Sequence, residues 1–536
     1  MYDKPANSGR RTRLALVVIV SACTALAHKL RFVQDDAFIS FRYSENFARG
    51  NGLVWNIGER VDGYTSFLWT VLMAIPSAMG ISIVTFSYVV GLTCFALSLL
   101  MLFGIAKRMV SANSALLVVL LTGLNYSFAI YATGGLETPL VAATWLACLY
   151  LSLPVLQGEE VRTIRLVALS LASAAALLTR LDSAVYLAVL QSPVLLILKF
   201  NRRGWKQRLA LLVPELVIFG AWCGWQVWYY GDLMPNSYYL KIAGANGYVR
   251  LVNGTYFLLQ FLLRFLFLPC LLLLFVHIRK LKTDKSLLTL LALAASWCGY
   301  VVYAGGDFME YRFMVAIVPV LSILLVWAAR RSVQWKVGTM TIGVALLAAV
   351  SPWAGIQIGP HHLKVETREE LQSHLDADGQ DWQGIGEMLS RVFDRDQTVS
   401  IAVFPAGAIP FYSGLPAVDM LGLNDPWVAR HGWVVSRWPG HYRVAPLQYV
   451  LERRTALLIL QPQIVPHSAP LLSNYSAAQV VVSEICDARC ALPAGAKLLR
   501  IPVDGNRDLV VIYPFPNGAV DAAIGRNHWR VSPIVD

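Results

Sequence analysis

Two adjacent aspartates, Asp35 and Asp36, directly follow the first long apolar run of the chain. A carboxylate at the end of a membrane segment is costly unless it is paired, hydrated or useful. One use is general base catalysis, in which the carboxylate takes the proton of an acceptor hydroxyl as a new bond forms. The alternative is structural, with the aspartates capping a helix and pairing with Arg42. In a helix neighbouring side chains diverge by about 100°, so the two carboxylates need not share one role.

Four cations near the ends of apolar runs suit the recognition of a phosphate group. An arginine fork binds two phosphate oxygens at once and stays charged in a low-dielectric site. Fixed cations also stabilise a departing phosphate without a metal ion. The sequence has no Cys/His metal array, P-loop or serine nucleophile motif, so no cofactor is expected and a divalent cation is not indicated. The predicted ligands of a donor phosphate are Arg42, Arg180, Lys241 and Arg312.

Nine further polar residues are candidates for substrate binding, and each also has a simpler interpretation. Glu137 suits the first turn of a helix, where the helix dipole favours a negative charge. Arg180 and Asp182 suit a local ion pair, and Glu310 and Arg312 suit another. Tyrosines form interfacial belts in membrane proteins, while Asn and Asp favour turns and caps. The nine candidates are Glu137, Asp182, Tyr230, Asn236, Asp307, Glu310, Asn424, Asp425 and His441.

The composition predicts that lipid surrounds much of the chain. Of its 536 residues 56% are hydrophobic and 15% are charged, whereas soluble domains carry about 25% charged residues. The net charge of +12 comes from basic residues in short loops between apolar runs, a pattern typical of membrane topology rather than of nucleic acid binding. A globular composition returns after residue 353. We therefore expect a transmembrane domain over 1–355, which contains the candidate catalytic residues, and a soluble domain over 356–536.

About eleven apolar runs are long enough for membrane spans of roughly 20 residues. Basic loops remain in the cytoplasm, which predicts a cytoplasmic N-terminus, a first periplasmic loop over about 32–82 and a periplasmic C-terminal domain. The apolar stretch from Phe67 to Met79 is too short to cross and is expected to form an amphipathic or re-entrant helix. The predicted spans are 13–31, 83–106, 114–133, 137–155, 164–180, 184–199, 209–229, 255–276, 286–304, 312–329 and 337–355.

The predicted periplasmic domain mixes helix and strand patterns. Gln383 to Phe393 has helical spacing. Four short runs are typical of strands, namely Val399–Phe404, Ala456–Leu460, Val480–Val482 and Leu509–Ile512. Cys486 and Cys490 are close enough in sequence to close a small disulfide loop in an oxidising compartment, and the sequence leaves this pairing open. The N-terminus has the features of a secretory signal, but we expect it to stay as an uncleaved first helix.

The first predicted periplasmic loop resembles that of a known family of membrane enzymes. Its sequence, DDAFISFRYSENFARGNGLVWNIGERVDGYTSFLW, resembles the loop of GT-C fold glycosyltransferases and especially of mycobacterial terminal β-(1→2)-arabinofuranosyltransferases, which use decaprenylphosphoryl arabinose. The resemblance continues through GGLET, TRLD, YYGDLMPNSYYLK, GGDFMEYRF and VDMLGLNDPWVAR. It implies an α-helical polytopic GT-C fold with a C-terminal α/β periplasmic domain, and it makes the acidic pair Asp35 and Asp36 the catalytic element.

The resemblance implies an enzyme of the bacterial inner membrane. It would move a sugar, such as arabinofuranose, from a polyprenyl-phosphate donor to an envelope glycan or glycoprotein on the periplasmic side. Two other classes stay open, namely a transporter or flippase and a non-catalytic envelope-assembly factor. A transporter predicts charges near the middle of the bilayer and internal repeats, whereas the charges here lie at the ends of spans. The sugar, the acceptor, the stereochemical outcome and metal dependence are not determined by the sequence.

Overall fold

The computed structural model of the chain describes residues 5–243, 246–265, 267, 284–331, 335–350, 364–435, 439–469, 485 and 492–534. Its first part is helical, because long apolar runs are separated there only by short polar loops. A π-helical turn (Tyr239–Ala243) follows α11, and a 3-10 turn (Arg312–Ile317) precedes α14. The helices of this part are α1 (Pro5–Lys29), α2 (Asp35–Ala48), α3 (Phe67–Ala78), α4 (Ile83–Lys107), α5 (Ala112–Gly123), α6 (Tyr126–Ile130), α7 (Thr138–Leu156), α8 (Thr163–Thr179), α9 (Ser183–Ile197), α10 (Arg202–Tyr230), α11 (Asn236–Tyr238), α12 (Gly247–Arg264), α13 (Lys285–Ala304), α14 (Val318–Arg330) and α15 (Trp335–Val350).

Within the described residues, six helical segments are long and apolar enough to cross a membrane by length and composition. Four shorter apolar helices, α3, α5, α8 and α9, accompany them. The expected total of eleven spans is therefore not confirmed, although helices occupy most of the predicted positions. The six segments are Gly9–Lys29, Ile83–Lys107, Thr138–Leu156, Arg202–Tyr230, Lys285–Ala304 and Arg312–Arg330.

One predicted span differs from the structure, and another is only partly described. The run 114–133 was expected to be one helix, but α5 ends at Gly123 and α6 begins at Tyr126. The side chain of Asn125 causes the break, because its Oδ1 accepts a hydrogen bond from the backbone N–H of Phe128 at 3.0 Å and so caps a new helix. The predicted span 255–276 is described only at 255–265 and 267, where α12 continues to Arg264.

The short apolar stretch after the first loop is a helix, as predicted. It forms α3, which packs against α2 and α4. The indole Nε1 of Trp69 donates to the backbone oxygen of Gly135 at 3.1 Å, and Ser44 on α2 donates to the backbone oxygen of Thr70 at 2.7 Å. These contacts fix the first loop against the helical part. The position of α3 relative to the membrane surface stays a prediction.

The C-terminal part is an α/β domain built on a six-stranded mixed sheet. The strand order is β2-β1-β5-β7-β6-β8, with β1 parallel to both β2 and β5 and the other pairs antiparallel. Strands β3 and β4 form a separate antiparallel pair. The strands are β1 (Ile401–Val403), β2 (Ala417–Asp419), β3 (Trp433–Val434), β4 (Arg443–Val444), β5 (Leu457–Pro466), β6 (Lys497–Pro502), β7 (Arg507–Tyr513) and β8 (Arg530–Pro533).

The helices of this domain are short, and they cover the sheet. The predicted helix 383–393 is confirmed as α17, which places one apolar face in the core. Strands were found where 399–404, 456–460 and 509–512 predicted them, whereas Val480–Val482, Cys486 and Cys490 lie outside the described residues. The domain helices are α16 (Arg368–Ser373), α17 (Trp382–Phe393), α18 (Ala408–Ser413), α19 (Pro426–His431), α20 (Leu447–Glu452) and α21 (Gly518–Asn527).

Helix α2 joins the two parts of the molecule. The guanidinium of Arg42 donates to the backbone oxygens of Trp55 at 2.6 Å and Leu415 at 2.7 Å, and also to that of Pro410. The chain must come close here, because a Cβ on Gly407 would lie 2.0 Å from the backbone oxygen of Asp35. A glycine at position 407 therefore lets the domain touch the start of α2. The core of buried apolar side chains is continuous from α1 to the sheet.

Candidate active site

The carboxylate of Asp36, in the first turn of α2, lies where two cavities meet. We call the first the charged cavity; it has a volume of about 260 Å³ and lies among the ends of the helices. We call the second the domain cavity; it has a volume of about 430 Å³ and lies between α2 and the C-terminal domain. Residues that line both are Asp36, Ile39, Lys241, Leu423 and Gly440. Among the described residues, no group donates a hydrogen bond to the Asp36 carboxylate.

The charged cavity contains two ion-pair groups. Arg180 contacts Glu137 at 2.8 Å and Asp182 at 2.6 Å, so the predicted local pair of Arg180 and Asp182 is confirmed. Arg312 pairs with Asp307 at 2.8 Å. All three nitrogens of the Arg180 guanidinium are used in these contacts, because Nε also donates to Asp182. Arg180 therefore has little capacity left for another anion.

Two other cations in this cavity keep donors for a ligand. Arg312 uses only Nε for Asp307, and its two terminal nitrogens make no hydrogen bond to the described residues. Lys241 makes no hydrogen bond or ion pair with any residue that the structure describes. Burial and the nearby Arg312 lower the pKa of Lys241, whereas the charge of Asp36 acts in the opposite direction. An anion placed between Lys241 and Arg312 would relieve the repulsion of these two charges.

The two neighbouring aspartates have different surroundings. Backbone N–H groups of Ala408 and Gly407 donate to the Asp35 carboxylate at 2.7 and 3.1 Å. Burial raises the pKa of Asp35 to about 7, and these two hydrogen bonds partly offset that effect. Asp35 lines the domain cavity only, whereas Asp36 lines both cavities. The expected ion pair with Arg42 is absent among the described contacts, because Arg42 binds backbone oxygens instead.

His441 lies in the domain cavity, close to Asp36 and Lys241. Its Nδ1 donates to the backbone oxygen of Pro439 at 3.1 Å, and its ring packs edge-on against Phe308 with centroids 4.8 Å apart. Burial lowers the pKa of His441 below its ordinary value. The predicted substrate residue His441 is thus placed beside the candidate base.

Six predicted site residues line neither cavity, and their contacts are structural. Arg42 fastens α2 to the domain as described above. Tyr230 donates to the backbone oxygen of Leu53 at 2.7 Å. Glu310 was expected to contact Arg312, but it pairs with Arg264 at 2.7 Å and accepts from the backbone N–H of Arg368 at 2.8 Å. The six residues are Arg42, Tyr230, Asn236, Glu310, Asn424 and Asp425.

The remaining three of these residues shape a loop of the C-terminal domain. Asn236 donates to the backbone oxygens of Gly422 and Leu423 at 2.9 and 3.1 Å. Asn424 donates to Asp419 at 3.0 Å. Asp425 caps α19, accepting from two backbone N–H groups at 3.0 Å. The simpler interpretation of Asn424 and Asp425 as turn and cap residues agrees with these contacts.

The domain cavity also contains residues that the sequence did not indicate. Gln34 precedes the aspartates directly, and Trp382, His374 and Glu366 come from the far end of the chain. Trp382 stacks on His374 with centroids 4.5 Å apart, and His374 Nε2 lies 3.3 Å from Glu366. The one sequence feature that could have indicated any of these residues was the position of Gln34 directly before the aspartates. In the described part of the chain, no group of three or more His, Cys, Asp or Glu residues could hold a metal ion.

The whole architecture resembles that of a solved membrane enzyme. ArnT from Cupriavidus metallidurans, in a crystal structure bound to undecaprenyl phosphate, aligns with a TM-score of 0.55 at 14% identity. The alignment covers 93% of this chain and 97% of ArnT. The chain has the GT-C fold. With this GT-C fold and its apolar helices, it is a membrane-embedded protein.

Two curated proteins share sequence with this GT-C chain. Both carry the name terminal beta-(1->2)-arabinofuranosyltransferase. The one from Mycobacterium tuberculosis is 27% identical over 251 residues, which cover 44% of this chain and 39% of that protein. The one from Corynebacterium glutamicum is 28% identical over 350 residues, which cover 55% and 47%. This chain therefore spans less than half the length of either relative.

A family model also matches within the C-terminal domain of the GT-C chain. Its description is a domain of unknown function (DUF8728), and it covers residues 369–511. The matched range includes His374 and Trp382 of the domain cavity.

Proposed function

We propose that this chain is a membrane glycosyltransferase that moves a sugar from a polyprenyl-phosphate donor to an acceptor hydroxyl, with Asp36 as the general base. One observation carries the proposal: the unbonded Asp36 carboxylate lies at the junction of a cation-bearing cavity and a second cavity. A donor phosphate in the first and an acceptor in the second would bring their reacting atoms together beside this carboxylate. That arrangement is what general base catalysis of a transfer requires.

The roles follow from the acceptor or donor groups that each residue has free. Asp36 takes the proton of the acceptor hydroxyl as its oxygen forms a bond to the anomeric carbon. The bond from that carbon to the phosphate oxygen breaks, and the polyprenyl phosphate leaves with the electron pair. Lys241 and the terminal nitrogens of Arg312 stabilise the negative charge that develops on the phosphate. Arg180 holds Glu137 and Asp182 in the wall of the cavity rather than binding the phosphate itself.

The comparisons support the choice of donor and sugar. ArnT, which shares the fold, was solved with undecaprenyl phosphate, and the two curated relatives are named as arabinofuranosyltransferases. We therefore propose a polyprenyl-phosphate arabinofuranose donor and an acceptor in the bacterial cell envelope. The basic loops support an inner-membrane location with both cavities on the periplasmic side and the N-terminus in the cytoplasm.

The test is a transfer assay with membranes that contain the full chain and are supplied with decaprenylphosphoryl arabinose. Asp36→Asn keeps the shape of the side chain but removes the base, so we expect transfer to fall by about 10² to 10⁴-fold. Asp378→Asn is the matched control, because Asp378 is an exposed residue of the C-terminal domain that lines neither cavity. Equal transfer by wild type and Asp36→Asn, at equal protein levels, would refute the proposed role of Asp36.

A further inference from the structure

Gln34 and Trp382 line the domain cavity, and their buried side-chain polar atoms have no hydrogen-bond partners. Gln34 is 1% exposed, and neither Oε1 nor Nε2 of its amide has a partner. Trp382 is 7% exposed, and its indole Nε1 has no partner. Both residues line this cavity together with Asp36. The Nδ1 of His374 in the same lining also has no partner. Buried polar groups are nearly always paired in native proteins, so four orphaned atoms around one cavity point to a ligand that pairs them.

Two further carboxylates of this cavity, those of Glu366 and Asp419, already have partners. Glu366 contacts His374 at 3.3 Å, and the Asp419 carboxylate accepts from the backbone N–H groups of Leu421 and Asn424 at 3.0 and 2.8 Å. The stack of Trp382 on His374 fixes the indole in place. The unpaired groups therefore sit on a rigid wall, which lowers the entropic cost of binding a ligand.

The charges of the cavity disfavour an anionic acceptor. Four carboxylates line it, whereas Lys241 is the sole Lys or Arg in the lining that the structure describes. A phosphorylated or acidic sugar would meet repulsion from this acidic excess. The apolar residues of the lining suit the C–H surfaces of a sugar ring; they include Ile39, Leu240, Phe308, Leu371 and Phe404.

We propose that the domain cavity is the acceptor subsite for a neutral sugar with neighbouring hydroxyls, bound through Gln34 and Trp382; this inference rests on the proposed function. Gln34 is the N-cap residue of α2 and precedes Asp36 by two positions. Its amide offers one donor and one acceptor next to the base, which matches a hydroxyl adjacent to the one that reacts. A serine or threonine of a glycoprotein has no second hydroxyl, so the geometry favours a glycan acceptor. The indole N–H of Trp382 donates to a further hydroxyl.

The experiment uses the full chain in lipid nanodiscs with decaprenylphosphoryl arabinose as donor and octyl α-D-arabinofuranoside as acceptor. Gln34→Met and Trp382→Phe each remove the polar group and retain most of the volume. We expect each to raise the KM for the octyl glycoside about tenfold, with the KM for the donor unchanged. Trp427→Phe is the control, because Trp427 belongs to the same domain, stacks on Tyr449 at 4.2 Å and lines neither cavity.

A binding measurement separates this inference from the proposed function. Saturation-transfer difference NMR with octyl α-D-arabinofuranoside reports contact with the protein without turnover. Loss of that signal in Trp382→Phe, but not in Trp427→Phe, supports the subsite even where wild type transfers no sugar from the lipid donor. The inference is overturned if both variants keep the wild-type acceptor KM and the wild-type NMR signal. Transfer to a serine-containing peptide in preference to the glycoside would also overturn it.

Discussion

The two cavities that meet at Asp36 use polar groups in opposite ways. In the charged cavity, carboxylates neutralise Arg180 entirely and Arg312 partly, and Lys241 is left with no partner among the described residues. In the domain cavity, the carboxylates of Asp35, Glu366 and Asp419 have partners, and neutral amide and indole groups are left without them. The difference indicates one cavity suited to an anion and another suited to hydroxyls. A transfer enzyme needs such an asymmetry, because it must place donor and acceptor in a fixed order around one base.

The largest effect outside Asp36 is expected at Lys241, which lines both cavities. Lys241→Met removes the unpaired cation and retains a long apolar side chain. A hydrogen bond to a charged group contributes about 2 kcal/mol, so the KM for the lipid donor should rise about 30-fold. The measurement is a donor titration at saturating acceptor. An unchanged donor KM would place the phosphate elsewhere and break the assignment of the two cavities.

A smaller effect is expected at Arg312, and it sharpens the contrast between the two arginines of the charged cavity. Arg312→Lys keeps a charge near Asp307 but loses the two free terminal nitrogens, so we expect the donor KM to rise about tenfold. Arg180→Lys should instead lower the free energy of unfolding by about 3 kcal/mol, because one of two partly buried carboxylates loses its partner. Donor titrations and thermal unfolding of both variants distinguish these outcomes. Equal changes in donor KM and in the free energy of unfolding for the two variants would contradict the different roles of Arg312 and Arg180.

The smallest effect is a pH dependence at Asp35. Burial raises the pKa of Asp35 from 3.8 to about 7 in the folded protein. Because the pKa of Asp35 is higher in the folded protein, protonation of Asp35 adds to the free energy of unfolding. This contribution is fully present below about pH 4 and is lost as the pH rises through about 7. The amide of the Asp35→Asn variant does not titrate, so the unfolding midpoint of wild type should fall by a few degrees relative to that variant between pH 5 and pH 8. If the unfolding midpoints of the two proteins change with pH in parallel, the contribution of Asp35 to pH-dependent stability is excluded.

The sequence was sufficient for the fold class and for the centre of the charged cavity. Long apolar runs predict helices directly, and Lys241, Arg312 and Asp36 were found because a charge at the end of an apolar run is conspicuous. The exceptions have local causes. The break at Asn125 depends on a single capping side chain, and the mean hydropathy of a span-length window does not detect one residue.

The domain cavity was largely beyond prediction from sequence. Trp382 and His374 lie more than 300 positions after Gln34, and no local pattern shows that these segments meet. Arg42 and Glu310 were predicted as ligands, because Arg42 lies near the aspartates and Glu310 follows Gly305 and Gly306 in the sequence. In the structure each holds distant segments together. Whether a buried charge binds a ligand or its own backbone depends on tertiary contacts.

The attachment of α2 to the C-terminal domain also bears on how the enzyme is made. Asp35 and Arg42 hold backbone groups 372 and 373 positions later in the chain, at Gly407 and Leu415. The ribosome therefore completes all the helices of the first part before the contacts that fix the base can form. Under the proposed function, a nascent chain in the membrane would stay inert until its C-terminal domain has folded back onto α2, and half-made copies would not consume the lipid donor.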